Sequence, residues 1–266
     1  MDDIFNVTTW EKEISSYLEM PEFLQFEEEL ASWGITLSVK QKEQLILFYF
    51  MIIERNKVIN LTTIIEYKDV LKKHFLDSLS IAELKKIHDI SSMEYLSSPL
   101  RVIDLGTGAG FPGIPLKIVF PNLEITLVDS LNKRVTFLND VITALDLKGI
   151  NAVHSRAEDL ARNPLYRERF DLCVSRAVAN YSTLLEYCLP YVTLGGQFIS
   201  YKSISASEEL LAAKNALFLL GGKIVTTDSF ILADSIEQRT LIVTDKIKKS
   251  PKSYPRKAGI PGKNPL

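Results

Sequence analysis

The chain has 266 residues, 46% of them hydrophobic and 24% charged, with a formal net charge of −2 and two cysteines. That is the composition of a soluble globular protein with a substantial core, and it excludes disordered, collagenous and disulfide-stapled classes. The charge is uneven: Glu22, Glu27, Glu28 and Glu29 crowd one short run, whereas Lys246, Lys248, Lys249, Lys252, Arg256, Lys257 and Lys263 follow Asp245 with no acid among them. The C-terminal stretch therefore reads either as a solvated tail or as a surface for a polyanion.

Cys173 and Cys188 sit in apolar surroundings and make no C-x-x-C, which fits a reducing compartment. The start, Met-Asp-Asp-Ile, lacks the basic and apolar design of a signal peptide. The longest apolar run, Leu45 to Ile53, is too short to span a bilayer. A cytoplasmic protein, monomeric, with no metal and no membrane partner, is expected.

Up to about Ser98 the pattern is helical. Trp10, Ile14, Tyr17 and Leu18 mark one apolar face, and Phe23, Phe26 and Leu30 mark another before Gly34. Ser38 is placed to cap a longer helix carrying Leu45, Phe48, Tyr49 and Ile52. The polar step Asn60-Leu61-Thr62-Thr63 and a segment through His74, Phe75, Asp77, Ser78 and Leu79 follow. Ser98, preceding Pro99, closes this part. The expected division is an N-terminal helical subdomain over 1–98, an α/β domain over 99–245 and a basic tail over 246–266.

From Arg101 strands and helices alternate. Strands are expected at Arg101 to Leu105, Glu124 to Val128, Ile150 to His154, Phe170 to Ser175, Gln197 to Tyr201, Lys223 to Phe230 and Arg239 to Thr244. Helices are expected after the first strand up to Phe120, from a Ser130 cap through Leu145, from Tyr181 to Leu189 and from Ala206 to Leu220. Alternation implies a doubly wound, mainly parallel seven-stranded sheet of the α/β class with right-handed crossovers. No helix separates the last two strands, so the final strand runs antiparallel. That ending is typical of the Rossmann-like methyltransferase variant rather than of the six-strand dinucleotide fold.

The chemistry concentrates after the first strand, where Gly106, Gly108 and Gly110 alternate with Thr107 and Ala109. Two fingerprints overlap there. Gly108 to Gly113 fits G-x-G-x-x-G, the dinucleotide signature, while Asp104 to Gly110 fits the D-x-G-x-G-x-G loop of S-adenosylmethionine methyltransferases. Asp104 would repel a pyrophosphate but could serve a sulfonium. Pro112 has no N–H to offer a phosphate. Both points favour S-adenosylmethionine, with a nicotinamide-dependent oxidoreductase as the rival reading.

Asp129, some twenty residues on, is placed to accept ribose hydroxyls; the lesser alternative is a helix-start acid favoured by the macrodipole. Glu158, after the third strand, can approach an adenine edge. Lys133 and Arg134 oppose the macrodipole of the helix they begin, so they read as anion contacts or as partners of nearby acids. Arg176 follows the fourth strand, where substrate usually meets cofactor. The Asn/Asp-Pro-Pro-aromatic loop used for exocyclic amines is replaced by Ser175-Arg176-Ala177-Val178. Cys173 lies inside a strand and reads as a small hydrophobe rather than a nucleophile. A target atom with a free lone pair, such as guanine N7, needs neither device.

The chain resembles the glucose-inhibited division protein B family of small-subunit ribosomal RNA guanine-N7 methyltransferases, over nearly all of its length from Asn60 on. The marks are Asn60-Leu61-Thr62, His74-Phe75-Leu76-Asp77-Ser78-Leu79, Val102 to Pro115, Lys133 to Leu138, Arg156-Ala157-Glu158, Ser175-Arg176-Ala177-Val178 and the closing Tyr254-Pro255-Arg256. Lys202-Ser203 departs from the family's usual Lys-Gly. The resemblance implies that Gly106, Phe111, Ala157, Glu158 and Arg176 contact S-adenosylmethionine, that Asp129 holds its ribose, and that one guanine of 16S rRNA receives the methyl group to give 7-methylguanosine. On this reading Arg176 is the catalytic candidate, and Lys133, Arg134, Lys202, Arg239 and Arg256 contact the RNA or the 30S subunit. A methyltransferase-fold RNA- or protein-binding module without turnover is the alternative from another class.

Overall fold

The structure is a computed structural model that describes residues 7–84, 87, 90–176, 179–202, 206–232 and 238–266. Ala177, Val178 and Ser203 of the sequence motifs lie outside the described residues. The chain opens with α1 (Val7–Leu18), α2 (Pro21–Ser32) and α3 (Val39–Asn56). Pro21 starts α2, where a missing N–H leaves nothing unpaired. Ser38 caps α3 as expected, and the cap is reciprocal: Ser38 Oγ accepts from Gln41 N, and Gln41 Oε1 accepts from Ser38 N at 2.9 Å.

The polar step at 60–63 leads to α4 (Tyr67–Val70), a π-helical turn over Leu71–Leu76, α5 (Asp77–Leu79), a 3-10 turn and α6 (Ser92–Ser97). A widened turn shifts side chains off the 3.6-residue register, and such turns concentrate at functional sites. Here it carries His74.

The alternation then follows: β1 (Arg101–Leu105), α7 (Gly113–Val119), β2 (Glu124–Asp129), α8 (Asn132–Ala144), β3 (Ile150–His154), α9 (Ala157–Leu160), β4 (Phe170–Arg176), α10 (Tyr181–Cys188), β5 (Val192–Lys202), α11 (Ala206–Ala212), α12 (Lys214–Leu220), β6 (Gly222–Ile231), β7 (Gln238–Lys246) and α13 (Ile260–Lys263). The sheet order is β3-β2-β1-β4-β5-β7-β6, parallel through β5, with β7 antiparallel to both neighbours. The seven-stranded methyltransferase-type sheet and its reversed final strand are thus as the alternation predicts.

Three local expectations are corrected. The helix over 206–220 is two helices meeting at Ala213. β5 begins five residues early, at Val192, passing Gly195 at φ +85°. Ser130 does not cap α8: the capping position is Leu131, whose N–H is taken by Asp129 Oδ1 at 2.9 Å.

Both sheet faces are buried. One core joins Ile114, Phe137 and Leu138 beneath the sheet to Phe23, Phe48 and Phe75 of the N-terminal helices. The other joins Ile103, Cys173 and Phe198 to Tyr181, Leu185 and Leu220. Fully burying each such aromatic contributes roughly 1.5–3 kcal/mol, and no break in this first core occurs near residue 98. The N-terminal helices therefore run along the sheet's α7 and α8 layer: Gln41 and Gln44 of α3 bond the last carbonyls of those helices, and Phe48, His74 and Phe75 reach Phe111 beside the end of β1.

Candidate functional site

The loop between β1 and α7 is built by the three alternating glycines. Gly106, Gly108 and Gly110 take φ of +74°, +61° and +103°, a region that residues with a Cβ rarely occupy. Gly113 serves differently. A Cβ there would stand 2.3 Å from Leu127 Cδ2 and 2.9 Å from Asp104 Oδ2, so its absence lets α7 close onto β1 and β2. This is the packing role of the last glycine in a G-x-G-x-x-G fingerprint, which explains why the two fingerprints overlap in the sequence.

Asp104 lies fully buried under the loop. Its Oδ2 accepts from Thr107 Oγ1 at 2.6 Å and Gly113 N at 2.9 Å, while Oδ1 finds no hydrogen-bond partner among the described residues. Burial pushes its carboxyl up to about 6 against the pull of those two bonds. Asp104 therefore ties the loop from below and does not line the cavity above it.

That cavity, about 470 Å³, opens beyond the carboxyl ends of β1 and β2. It is bounded by Gly106, Asp129, Ala157, Glu158 and the α10 residues Leu184 and Tyr187, a size ordinary for a small-molecule site. Asp129, 4% exposed, is locked in place. Its Oδ2 accepts from Gly108 N at 3.0 Å and from Arg134 Nη1 at 3.3 Å, and its Oδ1 takes, among the described residues, only the Leu131 N–H. A carboxylate oxygen has two lone pairs, so Oδ1 retains capacity for a ligand hydroxyl. Glu158 Oε1 accepts from Gly259 N at 3.0 Å. Beside it, burial and then the carboxylates of Glu158 and Glu186 push the Tyr187 phenol up to about 12. An open glycine backbone, a fixed acid and an apolar floor of Leu105 and Val128 fit a nucleoside carrying a charged tail.

Phe111 and Arg176 occupy a second cluster. The Phe111 ring is 5% exposed and stacks on His74 at 4.4 Å between centroids, 18° between planes. The Arg176 guanidinium lies over the same ring, its carbon 5.1 Å from the centroid. Arg176 closes β4; it donates from Nη1 to Asp77 Oδ2 at 2.6 Å and to the Lys73 carbonyl at 2.9 Å, and from Nη2 to His74 Nδ1 at 3.1 Å. Burial, then the Arg176 charge, lowers His74 to about 3. The imidazole is thus neutral, and with Nδ1 accepting, Nε2–H donates to Thr62 Oγ1 at 2.8 Å. Asp77 Oδ1 accepts from Arg239 Nε at 3.0 Å.

His74, Asp77 and Thr62 appear in the sequence motifs without an assigned task. The available signal was polar residues at i and i+3 inside an apolar helical run; the arginine partners of His74 and Asp77, 99 to 162 residues away, leave no local trace.

The expected RNA-contacting cations are scattered. Lys133 is exposed at the start of α8, and Arg134 turns inward to Asp129. Lys202 Nζ donates to the Ala179 carbonyl and pairs with Glu209 at 2.7 Å. Arg239 belongs to the Asp77 cluster, and Arg256 pairs with buried Glu186. Among the described residues no group of three or more His, Cys, Asp or Glu could hold a metal ion, and no helix is long and apolar enough to cross a membrane.

A family model described as rRNA small subunit methyltransferase G matches residues 41–241. A ribosomal RNA small subunit methyltransferase G of Lachnoclostridium phytofermentans is 52% identical over 237 residues, covering 89% of this chain and 94% of that protein. Its counterpart in Leuconostoc mesenteroides is 47% identical over 241 residues, covering 91% and 98%. A crystal structure of a mutant of MtNAS shares the fold, with a TM-score of 0.50 at 14% identity over 92% of this chain and 90% of that one.

Proposed function

The chain belongs to the rRNA small subunit methyltransferase G family, and from that premise we propose that it methylates N7 of a single guanine in 16S rRNA, as a cytoplasmic monomer using S-adenosylmethionine. The observation that carries the cofactor reading is Asp129: a buried acid at the end of β2, fixed by the glycine loop itself and still able to accept from a hydroxyl.

When bound, S-adenosylmethionine supplies an electrophilic methyl carbon on a sulfonium. The attacking N7 has a free lone pair, so no residue needs to remove a proton. The protein's work then reduces to alignment and exclusion of water. Gly106 and Gly108 allow close approach to the loop, Asp129 holds the ribose, and Ala157 and Glu158 bound the adenine. Arg176, held over Phe111 by Asp77 and His74, is a preorganised cation at the end of β4 that orients the target nucleotide at the methyl group. Lys133, exposed at the start of α8, supplies a backbone contact to rRNA.

The test is incubation with labelled S-adenosylmethionine and 30S subunits lacking the modification, followed by nucleoside analysis. Label in 7-methylguanosine of 16S rRNA is the expected result. Cofactor binding without label in any rRNA would overturn the reading in favour of a binding module without turnover.

A further inference from the structure

The basic stretch after β7 packs against the body of the protein. Arg167 donates from Nη1 to the Tyr254 carbonyl at 2.9 Å and from Nη2 to the Ser250 carbonyl at 3.0 Å, and Arg162 Nη2 donates to the Pro255 carbonyl at 2.8 Å. Further on, Gly259 N reaches Glu158 on α9, and Thr183 Oγ1 on α10 donates to the Pro261 carbonyl at 3.0 Å. Between these points lies Arg256. Its Nε and Nη2 grip Glu186 with bonds of 2.6 to 3.1 Å, and its backbone N–H adds another at 2.7 Å.

Glu186 is 0% exposed. A carboxylate taken wholly out of water is tolerated only when a partner meets it with good geometry, and a forked guanidinium provides that geometry. Arg256 therefore spends its charge inside the fold. The two elements spanned by the segment, α9 and α10, are the ones that supply Glu158, Leu184 and Tyr187 to the cavity.

We propose that residues 250–266 form a positioning strap for the cofactor cavity, keyed by Arg256 on Glu186 and delivering the Gly259 N–H to Glu158. This rests on the cavity being the S-adenosylmethionine site. Without the strap the α9–α10 wall samples competent and incompetent arrangements, and apparent affinity falls by the competent fraction. Arg256 is then a positioning residue rather than a contact to RNA.

The test compares wild type, Arg256→Gln and the double variant Arg256→Met with Glu186→Met by calorimetric titration of S-adenosylmethionine, alongside melting temperature and the KM for 30S subunits. If the competent fraction drops to about a tenth, both variants bind S-adenosylmethionine about tenfold more weakly with an unchanged KM for 30S subunits. The double variant, having no orphaned charge, regains the thermal stability that Arg256→Gln loses. Recovery of cofactor affinity together with stability in the double variant would overturn the strap, as would a raised KM for 30S subunits with cofactor affinity intact. Failure of the wild type to bind S-adenosylmethionine would overturn the cofactor reading and the strap with it. Normal wild-type binding with an unaltered Arg256→Gln removes the strap alone.

Discussion

The two clusters at the strands' carboxyl ends are built on different principles. The β1–β2 side works through backbone: three left-handed glycines and one acid that accepts from the loop and from the start of α8. The β4–β5 side works through side chains already spent on one another, with Thr62, His74, Arg176, Asp77 and Arg239 joined across 60 to 240 in the sequence. The first is a socket shaped by backbone. The second is a brace that fixes one guanidinium, and it joins the N-terminal helices to the sheet.

That contrast can be broken most severely at Asp77. Asp77→Ala leaves two guanidiniums without their shared buried carboxylate, and truncating one partner of such an arrangement costs about 3–5 kcal/mol. Thermal or denaturant unfolding should show a loss of that size, with cofactor affinity in the still-folded fraction little changed. A large loss of affinity at constant stability would mean that the two clusters are not separate.

The socket is tested by Asp129→Ala. The Gly108 and Leu131 N–H groups lose their acceptor, and a ligand hydroxyl loses its partner. At about 2–3 kcal/mol, the Kd for S-adenosylmethionine should rise roughly 30- to 150-fold by calorimetry.

A third effect concerns pH. His74 titrates near 6.5 unfolded and about 3 folded, so the unfolded state binds more protons between those values. Its contribution is complete above pH 6.5 and is lost as pH falls toward 3, at up to about 1.4 kcal/mol per pH unit. Asp104 runs the other way: its carboxyl is raised from 3.8 to about 6, and the stability it lends declines as pH climbs through that window. His74→Gln should therefore flatten or reverse the acid limb of stability against pH. An acid limb identical to wild type would contradict a neutral, bridging imidazole.

The smallest effect is expected at Lys133, exposed at the start of α8. Lys133→Ala should weaken 30S binding modestly and lower the slope of log K against log salt by somewhat less than one, measured by filter binding over a salt series. An unchanged slope would take Lys133 out of the interface.

The difference between the clusters also decides what the sequence discloses. The glycine loop, Asp129 and the reversed last strand are local patterns, so periodicity and spacing find them. Asp104 illustrates the boundary: the acid is legible, but only packing shows that Gly113 and Thr107 occupy its Oδ2 from within. The brace is illegible because each bond joins residues brought together by the fold, and the widened turn that carries His74 has no signature in residue type. Arg256 misleads for the same reason. Among seven cations in an acid-free stretch it reads as an RNA contact, and nothing near it in the chain announces Glu186.

The most direct measurement is a crystal structure with S-adenosylhomocysteine. It should place the ribose hydroxyls on Asp129 and the adenine between Ala157, Glu158 and Leu184, leaving the bonds among Thr62, His74, Arg176 and Asp77 in place. A ligand bound elsewhere, or an Arg176 that abandons Asp77 to hold the ribose, would contradict the division into socket and brace.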